Sequence, residues 1–593
     1  MAPFNILANV TLLNPHLKKY IYTYKSLLLA GVMAAFISTV LNLAPTYFVK
    51  NIVDALNNKS LQQNQLIYNL LGWLISIILS SVMLFYQRMW VISASRHIEH
   101  DLRMNFFELL QQQPKSFYDR HSSADIISAF TNDMERIREL MGPSILHGVR
   151  GIFLIISTLG YMYWLSPLLT IYIIIPILLV PILTPLVMAY MEKLYAKVQQ
   201  ALSNLTQITQ ETLTGISIIK DYAVEENYIR KFLKESPLIK NTHLKATYIT
   251  GLEWPFLDFV AGISLVILLL VGGSKVIQNE ITMGELIALM MLLFRIRMPL
   301  IIMGWVISMV QRGRAAMKRF YVIFDEMQSS KVFTPVVATK TMKEITDITD
   351  IEATNLNFGF KNNKNVLQNI NFKLVKGQTI GIVGHVGAGK SSLALLLAGI
   401  YQNYTGQIKI NGQDAKDIPF VNRIKLFGWV PQDNFLFSTS IKENILLGEK
   451  NGNKNFEKYG EIAGLKPDIA GFPDGYDSLL GERGINLSGG QKQRVSIARG
   501  LMTNAPVLIF DDSFSSLDAQ TENILLENLS HIRKDKINII VSHRLSTLHN
   551  SDIIFVLSDG KIIEQGNHAE LLAQKGYYAM TFEEQKTALE IDA

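Results

Sequence analysis

The sequence predicts an α-helical domain that crosses a membrane six times, followed by an α/β domain built around a phosphate-binding loop (P-loop). Three observations predict it. The chain has 593 residues, 49% of them hydrophobic, with a mean hydropathy of +0.21, which is too long for one core and too apolar for a wholly soluble protein. The apolar residues crowd ahead of about residue 310 in long uncharged runs. Beyond them the composition is that of a soluble α/β domain. It contains a glycine-rich loop, GHVGAGKS at 384–391, and an apolar run that ends in acids, VLIFDD at 507–512.

The composition also excludes some functions. With no cysteine, disulfides and Cys-ligated metals are ruled out, and the chain suits a reducing compartment. A net charge of +6 with no basic tract interleaved with aromatics gives no nucleic-acid surface. The surplus of Lys and Arg is better explained by membrane topology.

In chain order, PHLKKYIYTYKS at 15–26 suits a helix lying at the membrane interface. Residues 26–48 and 60–87 are uncharged and long enough to cross a hydrocarbon core of about 30 Å. The first run lacks a small-residue cleavage site and reads as a retained span, not a signal peptide. The uncharged run 151–191 is too long for one crossing. Trp164-Leu165-Ser166-Pro167 divides it into spans three and four. Spans five and six fall at 254–274 and 283–311. The segments 92–145 and 192–250 are rich in Lys and Arg, which places them, both termini and the second domain in the cytosol. Charges within spans are costly and therefore informative. Glu253 and Asp258 lie in span five, and Arg295 and Arg297 in span six. Residues two apart on a helix point about 200° apart, so one arginine is expected to line a cavity while the other pairs within the protein, with Asp258 as its candidate partner.

Residues 1–325 thus form the membrane domain, 326–345 a linker and 346–593 the soluble domain. IEATNLNFGF at 351–360 reads as a strand, and NFKLVKGQTIGIVG at 371–384 as a strand leading into glycine. The loop Gly384, His385, Val386, Gly387, Ala388, Gly389, Lys390, Ser391 and Ser392 then matches G-x-x-x-x-G-K-[ST] between a β-run and a helix-like segment. Its glycines let backbone N–H groups converge on phosphate, Lys390 neutralises the β- and γ-phosphates, and the Ser391 hydroxyl can ligate Mg²⁺. Asp511, at the end of the apolar run, supplies the carboxylate that holds the metal directly or from one shell out. ATP and Mg²⁺ are the expected ligands.

LSGGQ at 487–491 followed by KQR, together with the P-loop, Gln432 in WVPQDNFLFS, GERG at 481–484, SSLD at 515–518 and His543 in IIVSHRLS, resembles the ATP-binding-cassette (ABC) proteins. The six-span half resembles their exporters, with FYDRHSSADIISAFTND and TGISIIKDYAVE where cytosolic loops meet the nucleotide domains. The resemblance implies head-to-tail pairing of two nucleotide domains. Leu487, Ser488, Gly489, Gly490 and Gln491 of one chain then close on ATP held by the other. It further implies that Phe360 stacks on adenine, that Gln432 sits by the metal or the attacking water, and that His543 contacts the γ-phosphate.

One position departs from the family pattern. The residue after Asp511 is usually a glutamate that positions or deprotonates water, and here it is Asp512. The lost methylene withdraws the carboxylate by roughly 1.5 Å, and misplacements of about 1 Å can cost about a hundredfold in rate. Slow hydrolysis at this chain's own P-loop is therefore expected, while its intact LSGGQ can complete an active site on a partner. With RGRAAMKRF at 312–320 and GNHAELLAQKGYYAM at 566–580, this pattern resembles the Mdl-type multidrug-like subunits of bacterial heterodimeric exporters. The resemblance implies a second half-transporter as partner, lipids around the spans, an amphiphilic substrate and an inner-membrane location. A homodimeric lipid flippase and a non-transporting nucleotide sensor are the alternatives.

Overall fold

A computed structural model of the chain describes residues 15–329, 345–360, 365–449 and 455–592. The chain divides into two units, Met1–Glu108 with Ser123–Glu326, and Leu109–Ser122 with Met327–Ala593.

The first unit is helical. Among the described residues, five helices are long and apolar enough to cross a membrane: Lys25–Asn57, Gln63–Gln111, Ser123–Leu165, Asp258–Ile277 and Met283–Ser329. The second of these has 49 residues. At 1.5 Å per residue it runs to roughly 70 Å, well beyond a bilayer. The break expected near 164–167 is present: one helix ends at Leu165, Ser166 is extended, and Pro167 opens the next. The predicted fourth span is itself interrupted, as Pro167–Ile177 followed by Leu179–Thr214. The break falls at Leu178; Pro181, three residues on, lacks the N–H that would have reached back across it to the Ile177 carbonyl. The stretch expected at the interface folds as the helix Pro15–Thr23. Leu17 is buried, the Tyr24 hydroxyl donates to Asp101 at 2.8 Å, and the Asn105 amide donates to the Tyr20 hydroxyl at 2.6 Å.

The two intramembrane arginines take different partners, and the expected pairing with Asp258 is present. Arg297 pairs with Asp258 at 2.7 Å. Arg295 donates instead to the backbone carbonyl of Asn42, in a helix whose hydrogen-bond ladder is interrupted nearby by Pro45. The side chain of Glu253 lies outside the described residues.

The second unit holds two sheets. A four-stranded antiparallel sheet runs in the order β2-β1-β4-β5, from β1 (Asp350–Phe358), β2 (Leu367–Val375), β4 (Thr405–Ile410) and β5 (Gln413–Asp414). The other sheet has the order β10-β9-β3-β8-β7-β6, from β3 (Thr379–Gly384), β6 (Phe427–Val430), β7 (Val507–Asp511), β8 (Ile537–Val541), β9 (Ile553–Ser558) and β10 (Lys561–Gly566). All its pairings are parallel except that of β10. The segment 371–384, read from sequence as one strand, is two strands in different sheets. The turn Lys376–Gln378 divides them, with Gly377 at φ +87°.

β7 shows why its sequence is continuously apolar. Val507 and Ile509 enter one hydrophobic core, and Leu508 and Phe510 enter the other. A parallel strand covered on both faces has no solvent side to make polar. The segment Leu109–Ser122 is held within this unit. Phe117 is fully buried, the Tyr401 hydroxyl donates to Asp119 at 2.8 Å, and the Gln113 amide donates to the Met327 carbonyl at 3.0 Å.

Arg533 is buried beneath β8. It donates to the Asn538 side chain at 2.7 Å and to the Ala505 carbonyl at 3.1 Å. Arg533→Ala strands both acceptors and is expected to cost about 2 kcal/mol, lowering the thermal midpoint by roughly 4–8 °C in a detergent unfolding scan.

Candidate functional site

The site is assembled at the carboxyl ends of four adjacent strands, β3, β8, β7 and β6, where open parallel sheets place their ligands. β3 leads into the P-loop, β8 into His543, β7 into Asp511 and Asp512, and β6 into Gln432.

At the start of the P-loop, a Cβ on Gly384 would stand 2.1 Å from the Leu557 carbonyl oxygen, so only glycine fits against β9. Gly389, at φ +99°, caps the helix Lys390–Leu397 in a left-handed conformation. The Lys390 ammonium donates to the carbonyls of Gly384 at 2.7 Å and His385 at 3.0 Å. Burial lowers its pKa, while Asp512 and Asp511 act in the opposite sense. Val386 is 94% exposed at the loop tip, whereas Ala388 is buried and packs inward.

Ser391 donates to Asp511 at 3.0 Å. Burial, reinforced by the neighbouring charge of Asp512, raises the pKa of Asp511, and the Ser391 bond offsets only part of this. A buried carboxylate hydrogen-bonded to a hydroxyl is a pair of hard oxygen donors that suits Mg²⁺.

The chain changes hand at Asp512, whose φ is +48°. Asp tolerates this left-handed conformation better than most residues. As a result the two neighbouring acids engage different partners. Asp512 accepts at Oδ2 from the Gln432 amide at 3.4 Å and lies 2.8 Å through Oδ1 from Nδ1 of His543. Three residues singled out from separate motifs thus meet around one carboxylate.

LSGGQ forms the N-terminus of the helix Gly489–Met502. Ser488 caps it, accepting from the Gln491 backbone at 3.3 Å, while the Gln491 side chain accepts from the Ser488 N–H at 2.9 Å. This capping box leaves the Ser488 hydroxyl proton and first-turn N–H groups of Gly489 and Gly490 available to an anion. Leu487 is buried in the core, and Gln491 also donates to Asp468 at 3.1 Å. These two support the turn, while Ser488, Gly489 and Gly490 offer its donors.

Phe360 is 40% exposed and packs edge-on against Phe358 and Tyr401, with centroids 5.1 and 5.6 Å away. Part of its surface is therefore accessible to a planar ring.

Sequence reasoning missed the residues that tie these loops together. The fully buried Gln493 donates to the Ser515 hydroxyl at 3.3 Å and accepts from the Ser516 N–H at 3.0 Å. Arg499, two turns further along the same helix, donates to the Phe435 carbonyl at 3.0 Å and the Asn444 side chain at 2.8 Å. Gln493 shares a helix face with Ile497 and Gly500 at i+4 and i+7. A polar residue on that face is a readable signal of a buried hydrogen-bond partner; the identity of the partner is not.

Two family models match the chain, the ABC transporter transmembrane region over residues 28–300 and the ABC transporter domain over 367–515. The "Multidrug resistance-like ATP-binding protein MdlA" of Buchnera aphidicola subsp. Baizongia pistaciae is 32% identical over 579 residues, covering 96% of this chain and 98% of that protein. The "ATP-dependent lipid A-core flippase" of Syntrophus aciditrophicus is 29% identical over 591 residues, with 98% and 95% covered. In fold, the chain is similar to a bacterial Atm1-family ABC exporter with ATP bound, at a TM-score of 0.75 and 23% identity. That match covers 95% of this chain and 99% of the other.

A Cβ on Gly389 would stand 2.8 Å from the Leu367 side chain in a backbone region that disfavours one. Gly389→Ala is expected to weaken ATP binding by at least about tenfold, read by fluorescent-nucleotide titration, and to lower the thermal midpoint by roughly 2–8 °C.

Proposed function

We propose that this chain, which belongs to the ABC exporters and is a membrane-bound transport ATPase, works as one half of a heterodimer with a hydrolysis-weak ATP site of its own. The observation that carries this reading is Asp512. It stands where the family resemblance implies glutamate, and its short carboxylate is drawn to His543 at 2.8 Å and Gln432 at 3.4 Å.

In this reading the P-loop and Lys390 hold the triphosphate while Phe360 stacks on adenine. Ser391 and Gln432, with Asp511, would hold Mg²⁺, which when bound would supply charge neutralisation to the triphosphate. His543 contacts the γ-phosphate. Asp512, one methylene short, leaves the attacking water poorly oriented. The free donors of Ser488, Gly489 and Gly490 serve the partner chain's ATP, where a glutamate completes the site. ATP binding closes the paired domains, the long cytosolic helices transmit the closure, and hydrolysis at the complete site resets it.

Support for an amphiphilic substrate comes from the membrane unit. Arg297 is neutralised by Asp258, whereas Arg295 has no ion pair among the described residues and only the Asn42 carbonyl as partner. An intramembrane cation so placed favours an amphiphile with a polar or anionic group. This agrees with the multidrug-like name of one relative. A second reading, a homodimeric lipid flippase, is favoured by the name of the other. The Lys- and Arg-rich segments 92–145 and 192–250 support a bacterial inner-membrane location with the termini and nucleotide domain in the cytosol.

Purified alone, the chain is expected to hydrolyse ATP slowly, and Asp512→Glu to raise turnover by about ten- to a hundredfold. Brisk ATPase from the unmodified chain alone would refute the weak-site heterodimer. Arg295→Ala is expected to reduce the stimulation of ATPase by anionic amphiphiles severalfold while leaving basal ATPase intact. Unchanged stimulation would remove Arg295 from the substrate path.

A further inference from the structure

We propose that Gln585, on the C-terminal helix Tyr577–Asp592, is the positioning residue for His543. The argument starts from the backbone after β8. Past Ser542, whose N–H still donates to the Ile382 carbonyl of β3 at 3.1 Å, no sheet pairing continues among the described residues, and His543 itself is half exposed. An unpaired segment of this kind would carry its imidazole loosely.

The Gln585 side chain closes that gap. Its Nε2 donates to the His543 carbonyl at 2.8 Å, and its Oε1 accepts from the Leu545 N–H at 3.0 Å. One planar amide thus satisfies two backbone groups two residues apart, as a neighbouring strand would. The clamp brackets Arg544. The Arg544 guanidinium turns the other way and donates to the carbonyls of Ser515 at 2.8 Å and Leu517 at 3.3 Å, and to Glu522 at 3.3 Å. The His543 loop is therefore gripped from both sides, by the C-terminal helix and by the SSLD loop that follows Asp512.

The helix bearing Gln585 is anchored well enough to act as a fixed support. Tyr578 is fully buried and its hydroxyl lies 2.8 Å from Nδ1 of His568. Glu564, on β10, accepts from the N–H groups of Tyr577 at 2.5 Å and Tyr578 at 3.1 Å. Phe582 packs on the His568 ring, with centroids 5.1 Å apart. The amide of Gln585, two turns beyond Tyr578, thus starts from a rigid base. A positioned side chain set on a packed element is the arrangement that fixes a site to within a fraction of an ångström.

The inference rests on the reading of His543 as the γ-phosphate contact, and the test separates the two. The full-length chain, in membranes with whatever partner it assembles with, is photolabelled with 8-azido-ATP. Labelling of this chain is then competed with ATP or with ADP, which reports its own site whether or not that site hydrolyses. His543→Ala is expected to lower the preference for ATP over ADP by about tenfold, the loss of one charge-assisted hydrogen bond. Gln585→Leu is expected to lower it by a similar factor, and the double variant no further, because Gln585 acts only through His543. If His543→Ala lowers the preference and Gln585→Leu does not, or if the two effects multiply, the positioning role is wrong while the reading of His543 stands. If His543→Ala changes nothing, that reading fails and the inference fails with it. Should Gln585→Leu also lower the unfolding midpoint, Gln585→Asn decides. It keeps the amide but is one methylene too short to span both backbone groups, and an unchanged ATP preference in that variant overturns the proposal.

Discussion

The candidate ATP site depends on the reversal of backbone hand at Asp512. β7 arrives fully buried, with Asp511 as its last residue and a parallel neighbour on each side. A continued extended backbone would have sent Asp512 to the opposite face, away from Asp511. At φ +48° both carboxylates stay at the strand end but take different partners, Ser391 for one and His543 with Gln432 for the other. Asp accepts this conformation at a smaller steric cost than bulkier or β-branched residues. The amide of Asp512 still donates to Val541 at 2.9 Å, so the turn is held by the sheet itself.

The signature helix Gly489–Met502 links this arrangement to the rest of the unit. Its N-terminus presents Ser488, Gly489 and Gly490, its buried Gln493 holds the loop after Asp512, and Arg499 holds the loop after Gln432. A shift of this helix would be felt at both loops, because the side chains that connect them are short of alternative partners once buried. With Gln585 and Arg544 fixing the His543 loop, each group that converges on Asp512 has its own support on a packed helix.

Much of this was legible in the sequence because its signals are local. The P-loop follows from its glycines between a strand and a helix, and the hairpin at Ser166 from Pro167. The double burial of β7 follows from four apolar residues in succession. That only one of Arg295 and Arg297 pairs with Asp258 agrees with helix geometry, since residues two apart point in different directions. The strands at 371–384 were harder, because an apolar pattern does not reveal that Gly377 hands the chain from one sheet to another. Gln493, Arg499 and Gln585 were not legible as site residues, since each is an ordinary polar side chain whose partner lies far along the chain.

The sequence by itself determined the family, the two-part architecture and the residue types at the ATP site, because motifs of this kind are chemical requirements compressed into a few adjacent positions. Tertiary structure alone decided how those motifs meet. That Asp512 is held by both His543 and Gln432, that Leu487 and Gln491 support the turn, and that a C-terminal glutamine grips the His543 loop all depend on strand order and on hydrogen-bond partners tens of residues apart. Spacing along the chain does not encode such pairings. They are set by which strand ends the sheet brings side by side.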